Sequence, residues 1–154
     1  MGFLSPRVNP AVTKTVTFTG LAGAGQAASN VVLFTVTGRV LITAIAAYCV
    51  TDLTEAGATA NMTMGTVTNT SRFYSTVTGG VTALDAGEWW ASAAAPVAGS
   101  IDLISASAGS TDQVGMLVSE NIVLLPSAQN INGGVLDVYC IWEPLSAGAT
   151  LVAA

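Results

Sequence analysis

The sequence predicts an all-β chain, a β-sandwich or jelly-roll-like single domain with an extended N-terminal arm. Three observations predict it. Short runs rich in Val, Ile and Thr recur along the 154 residues, separated by Gly, Ser and Asn turns. No long stretch repeats its apolar residues at helical spacing. The segment Gly133–Trp142, GGVLDVYCIW, alternates over its whole length. There Leu136, Val138, Cys140 and Trp142 share one apolar face and are expected in the core. Val135, Asp137, Tyr139 and Ile141 share a mixed face suited to solvent or a subunit contact. Gly133-Gly134 marks the turn before this strand, and Pro144 is expected to end its pairing.

In chain order, residues 1–11 read as an arm, because Pro6 and Pro10 favour extended backbone. Residues 12–154 read as the sandwich domain. Val12–Thr19 alternates, with Val12, Val16 and Phe18 inward, Lys14 interrupting, and four threonines outward. Gly20–Asn30 is a Gly/Ala loop. Val31–Thr37 is a strand with Val32, Phe34 and Val36 inward. Arg39–Val50 is apolar on both faces, as in a covered central strand and the best partner for Gly133–Trp142. Ala44, Ala46 and Ala47 would also suit a helix, but Val40, Ile42, Thr43, Ile45 and Val50 favour a strand. Thr51–Thr59 is a loop. Thr59–Val67, with Met62 and Met64 on one face, and Arg72–Val77 are strands. Val81–Ser92 is a loop with a short helical turn, carrying Trp89 and Trp90. Ile101–Ser105 is a strand, Ala106–Gln113 a loop, and Val114–Val118 a short strand. Asn121–Leu125 is a strand expected to stop at Pro126, and Thr150–Val152 a last edge strand.

Composition narrows function. Hydrophobic residues make up 51% and charged residues 8%, against about 25% charged in ordinary globular chains. Either Thr, Ser, Gly, Ala and Asn cover the surface, or partner subunits do; the second reading is favoured, and makes the chain a homo-oligomer. The net charge is −5, and Arg7, Lys14, Arg39 and Arg72 do not cluster, so the basic footprint of nucleic-acid binding is missing. Mean hydropathy is +0.63. Even so, the longest strongly apolar run, Val40–Val50, falls well short of the roughly 20 residues of a membrane-spanning helix. The first ten residues lack a signal-peptide core, and a myristoylation pattern fails at Pro6. On these features no membrane role is expected and synthesis in a cytoplasm is, where Cys49 and Cys140 are expected as buried thiols.

Catalytic equipment is sparse. The chain has no histidine, which removes His-based triads and the usual zinc sites. No catalytic residue, metal site or cofactor is assigned, and an enzyme is not expected. Gly23-Ala24-Gly25-Gln26-Ala27-Ala28 fits a relaxed dinucleotide fingerprint, but a strand is expected after it where the mechanism needs a helix. Asp85 and Glu88 beside the tryptophans could form a glycosidase pair with a sugar platform; a solvated loop is the plainer reading. Asp52 and Glu55 lack the spacing of a calcium loop. Asn61 and Asn69 sit in glycosylation sequons that matter only after secretion. The residues expected to meet partners are Phe3 and Leu4 on the arm and Trp89 and Trp90 on their loop.

The succession VVLFTVTGRVLITAIAAYCVTDL, GATANMTMGTVTNT, a Trp-bearing loop and GGVLDVYCIWEPLSAGATLVAA resembles small proteins encoded among the structural genes of tailed bacteriophages. The resemblance covers most of residues 12–154 and is strongest at Tyr139-Cys140-Ile141-Trp142 with Pro144-Leu145-Ser146. It implies a virion component, a capsid decoration or cement protein on the head surface, with the major capsid protein and further copies of itself as partners. The alternatives are a head-fibre or tail component, and a carbohydrate-binding module using the Trp89-Trp90 loop.

Overall fold

In the computed structural model, which describes residues 10–55, 57, 59–77, 80–91, 96–98 and 115–154, the chain is all-β. Its strands are β1 (Ala11–Thr17), β2 (Val31–Thr37), β3 (Val40–Glu55), β4 (Asn61–Thr66), β5 (Glu88–Trp90), β6 (Val97–Ala98), β7 (Met116–Val118), β8 (Ile122–Ser127), β9 (Ile131–Pro144) and β10 (Thr150–Ala153). A single 3₁₀ turn at Val81–Ala83 is the helical element among the described residues. The arm residues Phe3 and Leu4, and the expected strand Ile101–Ser105 with the loop after it, lie outside the described residues.

The strands form two antiparallel sheets. The larger runs β1-β9-β3-β5-β6, with β7 pairing the first residues of β3; the smaller runs β10-β2-β8-β4. Beyond β4, Tyr74 bridges to Met64. Thus β1-β9-β3-β5 faces β2-β8-β4-Tyr74, and the chain crosses between sheets in jelly-roll order. One apolar cluster joins the sheets: Leu33, Phe34, Met62, Ile122 and Leu124 from the smaller, Ile45, Cys49, Trp90, Leu136 and Val138 from the larger.

The alternation of β9 survives folding. Leu136, Val138 and Cys140 are fully buried, and Tyr139 is exposed on the other side. Trp142 departs from expectation: it is only half-buried, packing against the border of the core opposite Ile42. Arg39–Val50 is the expected partner, and as β3 it runs on to Glu55 through residues expected in the Thr51–Thr59 loop. Thr54 pairs Gly133 and Glu55 pairs Ile131, so Gly133-Gly134 lies within β9 and is not the turn before it. In β1, Val16 is buried and the threonines are exposed, and Phe18 just after the strand is buried. Lys14 lies on the inner side at the sheet edge, where its ammonium donates to the Ala154 carbonyl.

Three further expectations are corrected. In β2, Val31 pairs Leu124 and Val32 pairs Val123, but Phe34 pairs Ile122, so Leu33 is an extra residue. This bulge puts Leu33 and Phe34 both in the core and turns Val32 outward. Second, β8 does not stop at Pro126, which pairs Met62 on β4. The Pro126 carbonyl accepts from the Ala28 N–H on the side away from β4. The nitrogen faces that same side, so its missing hydrogen breaks no rung of the ladder. Third, Arg72–Val77 is not a strand: only Tyr74 bridges, and Asn61 pins the segment's end. The Asn61 side chain accepts from the Val77 N–H (2.9 Å) and donates to the Val77 carbonyl (3.2 Å). Nearby, the Glu120 carboxylate accepts the Thr68 hydroxyl (2.6 Å) and N–H (2.9 Å), which hold it below the usual carboxylate range.

Cys49 and Cys140 are free and buried. Cys140 pairs Ile45 across β3 and β9, four residues before Cys49. That offset is about 13 Å along a strand, beyond the roughly 7 Å limit for a disulfide. Burial pushes the Cys140 thiol up to about 12. Burial, then the negative charges of Asp52, Asp85 and Glu88, push Cys49 up to about 11. Both thiols are therefore expected to ignore a thiol-specific dye in native protein at about pH 8 and to react in denaturant. Stoichiometric labelling of native protein would contradict this placement.

Candidate functional site

The Trp89-Trp90 doublet lies on a short strand, β5, and not on a loop. Successive strand residues point to opposite faces, so the two indoles separate. Trp90 pairs Ala47 and is fully buried, its ring 5.2 Å from Tyr74 at 46°. It belongs to the core, which removes it from any partner-binding surface. Trp89 points outward, pairs Tyr48, and is half-buried.

Around Trp89 the fold assembles an aromatic face on the outer side of the larger sheet. The Trp89 and Tyr48 rings are 4.9 Å apart at 53°, and the Trp89 and Tyr139 rings 5.5 Å apart at 49°. Since β5 and β9 flank β3, their backbones are about 9.6 Å apart. The shorter ring distance means that Trp89 and Tyr139 lean toward each other across β3. Small Ala46, opposite Tyr139, allows this; it has no solvent exposure although its position in the strand is outward. Beside the rings lie Thr13, paired with Tyr139, and Thr15, whose hydroxyl donates to Asp137 at 2.5 Å. Where β1, β9, β3 and β5 are all paired, Asp137 is the one charged outward residue. Among the described residues, the Trp89 N–H and the hydroxyls of Tyr48 and Tyr139 have no hydrogen-bond partner.

A second feature is a shallow cleft of about 290 Å³ lined by Arg39, Leu117, Val118, Ser119 and Leu145. Leu117 is 70% and Leu145 51% exposed. This cleft lies where β3 begins and β9 ends, and among the described residues no carboxylate lines it.

The other sequence candidates resolve into turn chemistry. Glu88 accepts the Asp85 N–H at 3.0 Å, a local bond across the turn into β5. Asp52 accepts the Ala86 N–H at 2.6 Å, and Glu55 accepts the Ala60 N–H. Among the described residues, no group of three or more His, Cys, Asp or Glu is placed to hold a metal. Gly23–Ala28 folds as turns leading into β2 and presents no helix to a pyrophosphate. The Asn61 side chain is committed to Val77. No helix among the described residues is long and apolar enough to cross a membrane.

Sequence reasoning found Trp89 and put Tyr139 on the correct face, but it missed Tyr48 and the grouping of the three. The parity of Tyr48 within β3 was available; the register that brings the three strands' rings together was not. Set beside family models, curated proteins and solved structures, the chain matches none.

Proposed function

We propose that this protein is a structural subunit of a tailed-phage particle, a decoration or cement protein bound to the major capsid protein on the head surface. The observation that carries this reading is the outer face of the larger sheet: aromatic, threonine-rich and almost uncharged at its centre, on a jelly-roll sandwich. Exposed apolar area is a liability for an isolated subunit and an asset within a shell. Leu117 and Leu145 at the cleft add further contact surface. The jelly roll is an architecture that capsid domains use, and the phage-protein resemblance of the sequence points the same way. On this reading the chain is made in the host cytoplasm and incorporated during assembly. The arm, residues 2–10, would add a contact to a neighbouring chain.

Mass spectrometry and cryo-electron microscopy of purified particles test the proposal. The expected result is stoichiometric protein with density on the capsid lattice. Absence from the mature particle would end it, and density on the tail with a bare lattice would make the chain a tail or fibre component.

A further inference from the structure

We infer that the aromatic face of the larger sheet is a self-association surface, occupied by the same face of a second copy of this chain. The inference rests on reading the chain as an assembling structural subunit.

Area comes first. The residues of β1, β9, β3, β5 and β7, each covering about 3.3 Å by 4.8 Å of sheet, give a footprint on the order of 650 Å² per copy. Two copies then bury about 1,300 Å², within the range of stable interfaces, roughly 1,200–2,000 Å². The chemistry suits a protein contact. Its centre holds Trp89, Tyr48 and Tyr139, the residue types that dominate interface energetics. Its edge is a row of small hydroxyls, Thr13, Thr15 and Thr17, exposed on β1. At its centre, where β1, β9, β3 and β5 are all paired, Asp137 is the one charged outward residue, and Glu143 lies toward the β7 end of the face, so the middle of two such faces can meet without a field of like charges. The Trp89 N–H and the tyrosine hydroxyls, without a partner among the described residues, are donors, and Asp137 retains acceptor capacity beyond its bond from Thr15. A twofold contact lets each copy's donors reach the other's carboxylate.

A glycan is the competing occupant, since sugars stack on aromatic rings. The ring geometry disfavours it. Planes tilted by 49–53° to one another offer no coplanar strip for successive sugar rings.

The test is sedimentation velocity of the full chain over a micromolar concentration series, beside thermal melting. Wild type is expected to associate. Tyr139→Asp should raise the dissociation constant by about tenfold or more, with cooperative melting retained. Thr13→Arg, at an exposed site opposite Tyr139, should do the same and decides the matter if Tyr139→Asp fails to fold. Val152→Asp, exposed on β10 of the other sheet, should associate like wild type. A wild type that stays monomeric throughout overturns the inference, as does a Thr13→Arg protein that associates unchanged. A monomer that instead binds on a glycan array, with loss of binding in Trp89→Ala, overturns it in favour of the sugar. The two readings fail separately: association without presence in particles overturns only the virion proposal, and a monomer found on particles overturns only this one.

Discussion

Trp90→Ala is expected to be the most damaging of the tryptophan substitutions, costing about 3–5 kcal/mol of a total domain stability of about 5–15 kcal/mol. Trp90 is fully buried between the sheets and packs on Tyr74, whose hydroxyl donates to the Ile45 carbonyl of β3. Removing the indole leaves a cavity beside that pair, next to the axis of the larger sheet. Trp142→Ala should cost less, because Trp142 is half-buried at the border of the core. Trp89→Ala should cost least in stability, its ring being on the outer face. Trp90→Phe separates packing from polarity. The Trp90 indole N–H is buried with no partner in the described structure, and an orphaned donor carries a penalty of about 1–3 kcal/mol. Phe keeps much of the apolar contact and removes that penalty, so it should recover a large part of the loss. Urea denaturation with an unchanged m-value checks the series. A larger loss for Trp142→Ala than for Trp90→Ala would reverse the assignment of the two rings.

The strands legible in the sequence are those where a period-2 pattern runs unbroken beside a partner that covers one face. β1 and the middle of β9, Val135–Ile141, meet that condition, and there Leu136, Val138 and Cys140 are buried as alternation puts them, while Trp142 beyond is only half-buried. Legibility fails where one residue shifts the register. Leu33 makes the two sides of β2 exchange roles partway along, and nothing in VVLFTVT announces a bulge. Pro126 misleads for a different reason. A proline breaks a ladder only on the side its nitrogen faces, and that side depends on the neighbouring strands. At Arg72–Val77 the β-forming residues Phe73, Tyr74 and Val77 are present, but the side chain of Asn61 and the Tyr74 bridge hold the segment without a continuous ladder.

The candidate face was legible only in parts. A doublet such as Trp89-Trp90 looks like one aromatic site in sequence, and in a strand it cannot be one. With β5 only three residues long, the alternation that would reveal this is too brief to read. The grouping of Trp89, Tyr48 and Tyr139 depends on the pairing of three strands that are far apart in the chain. It also needs Ala46 between them, and one sequence does not mark the small residue over which larger rings close.

Gly65→Ala is expected to cost about 3 kcal/mol or more, although it adds only a methyl group. The reason is space and not backbone conformation, since Gly65 does not occupy the left-handed region. A Cβ there would lie 2.1 Å from the Asn69 carbonyl oxygen, 2.6 Å from the Arg72 nitrogen and 2.6 Å from the Thr70 carbonyl carbon. All three are backbone atoms, so no side chain can swing aside. They belong to a turn that folds back over β4 and is closed by bonds from Thr66 N–H to the Asn69 carbonyl (2.9 Å) and from Asn69 N–H to the Thr66 carbonyl (3.2 Å). Displacing the turn pulls on Phe73 and Tyr74, whose N–H groups both donate to the Met64 carbonyl at 2.9 Å, and through Tyr74 on Trp90. Two other glycines calibrate the effect. Gly57→Ala meets nothing within 4 Å and needs no unusual backbone, so it should be close to neutral. Gly23→Ala also has open space but sits at φ +73°, and should cost about 1 kcal/mol through backbone strain alone. The expected order of denaturation midpoints is Gly57→Ala, then Gly23→Ala, then Gly65→Ala well below both. If Gly65→Ala unfolds at the wild-type midpoint, the turn does not pack on β4 at this distance, and its coupling to the Tyr74–Trp90 pair is lost with it.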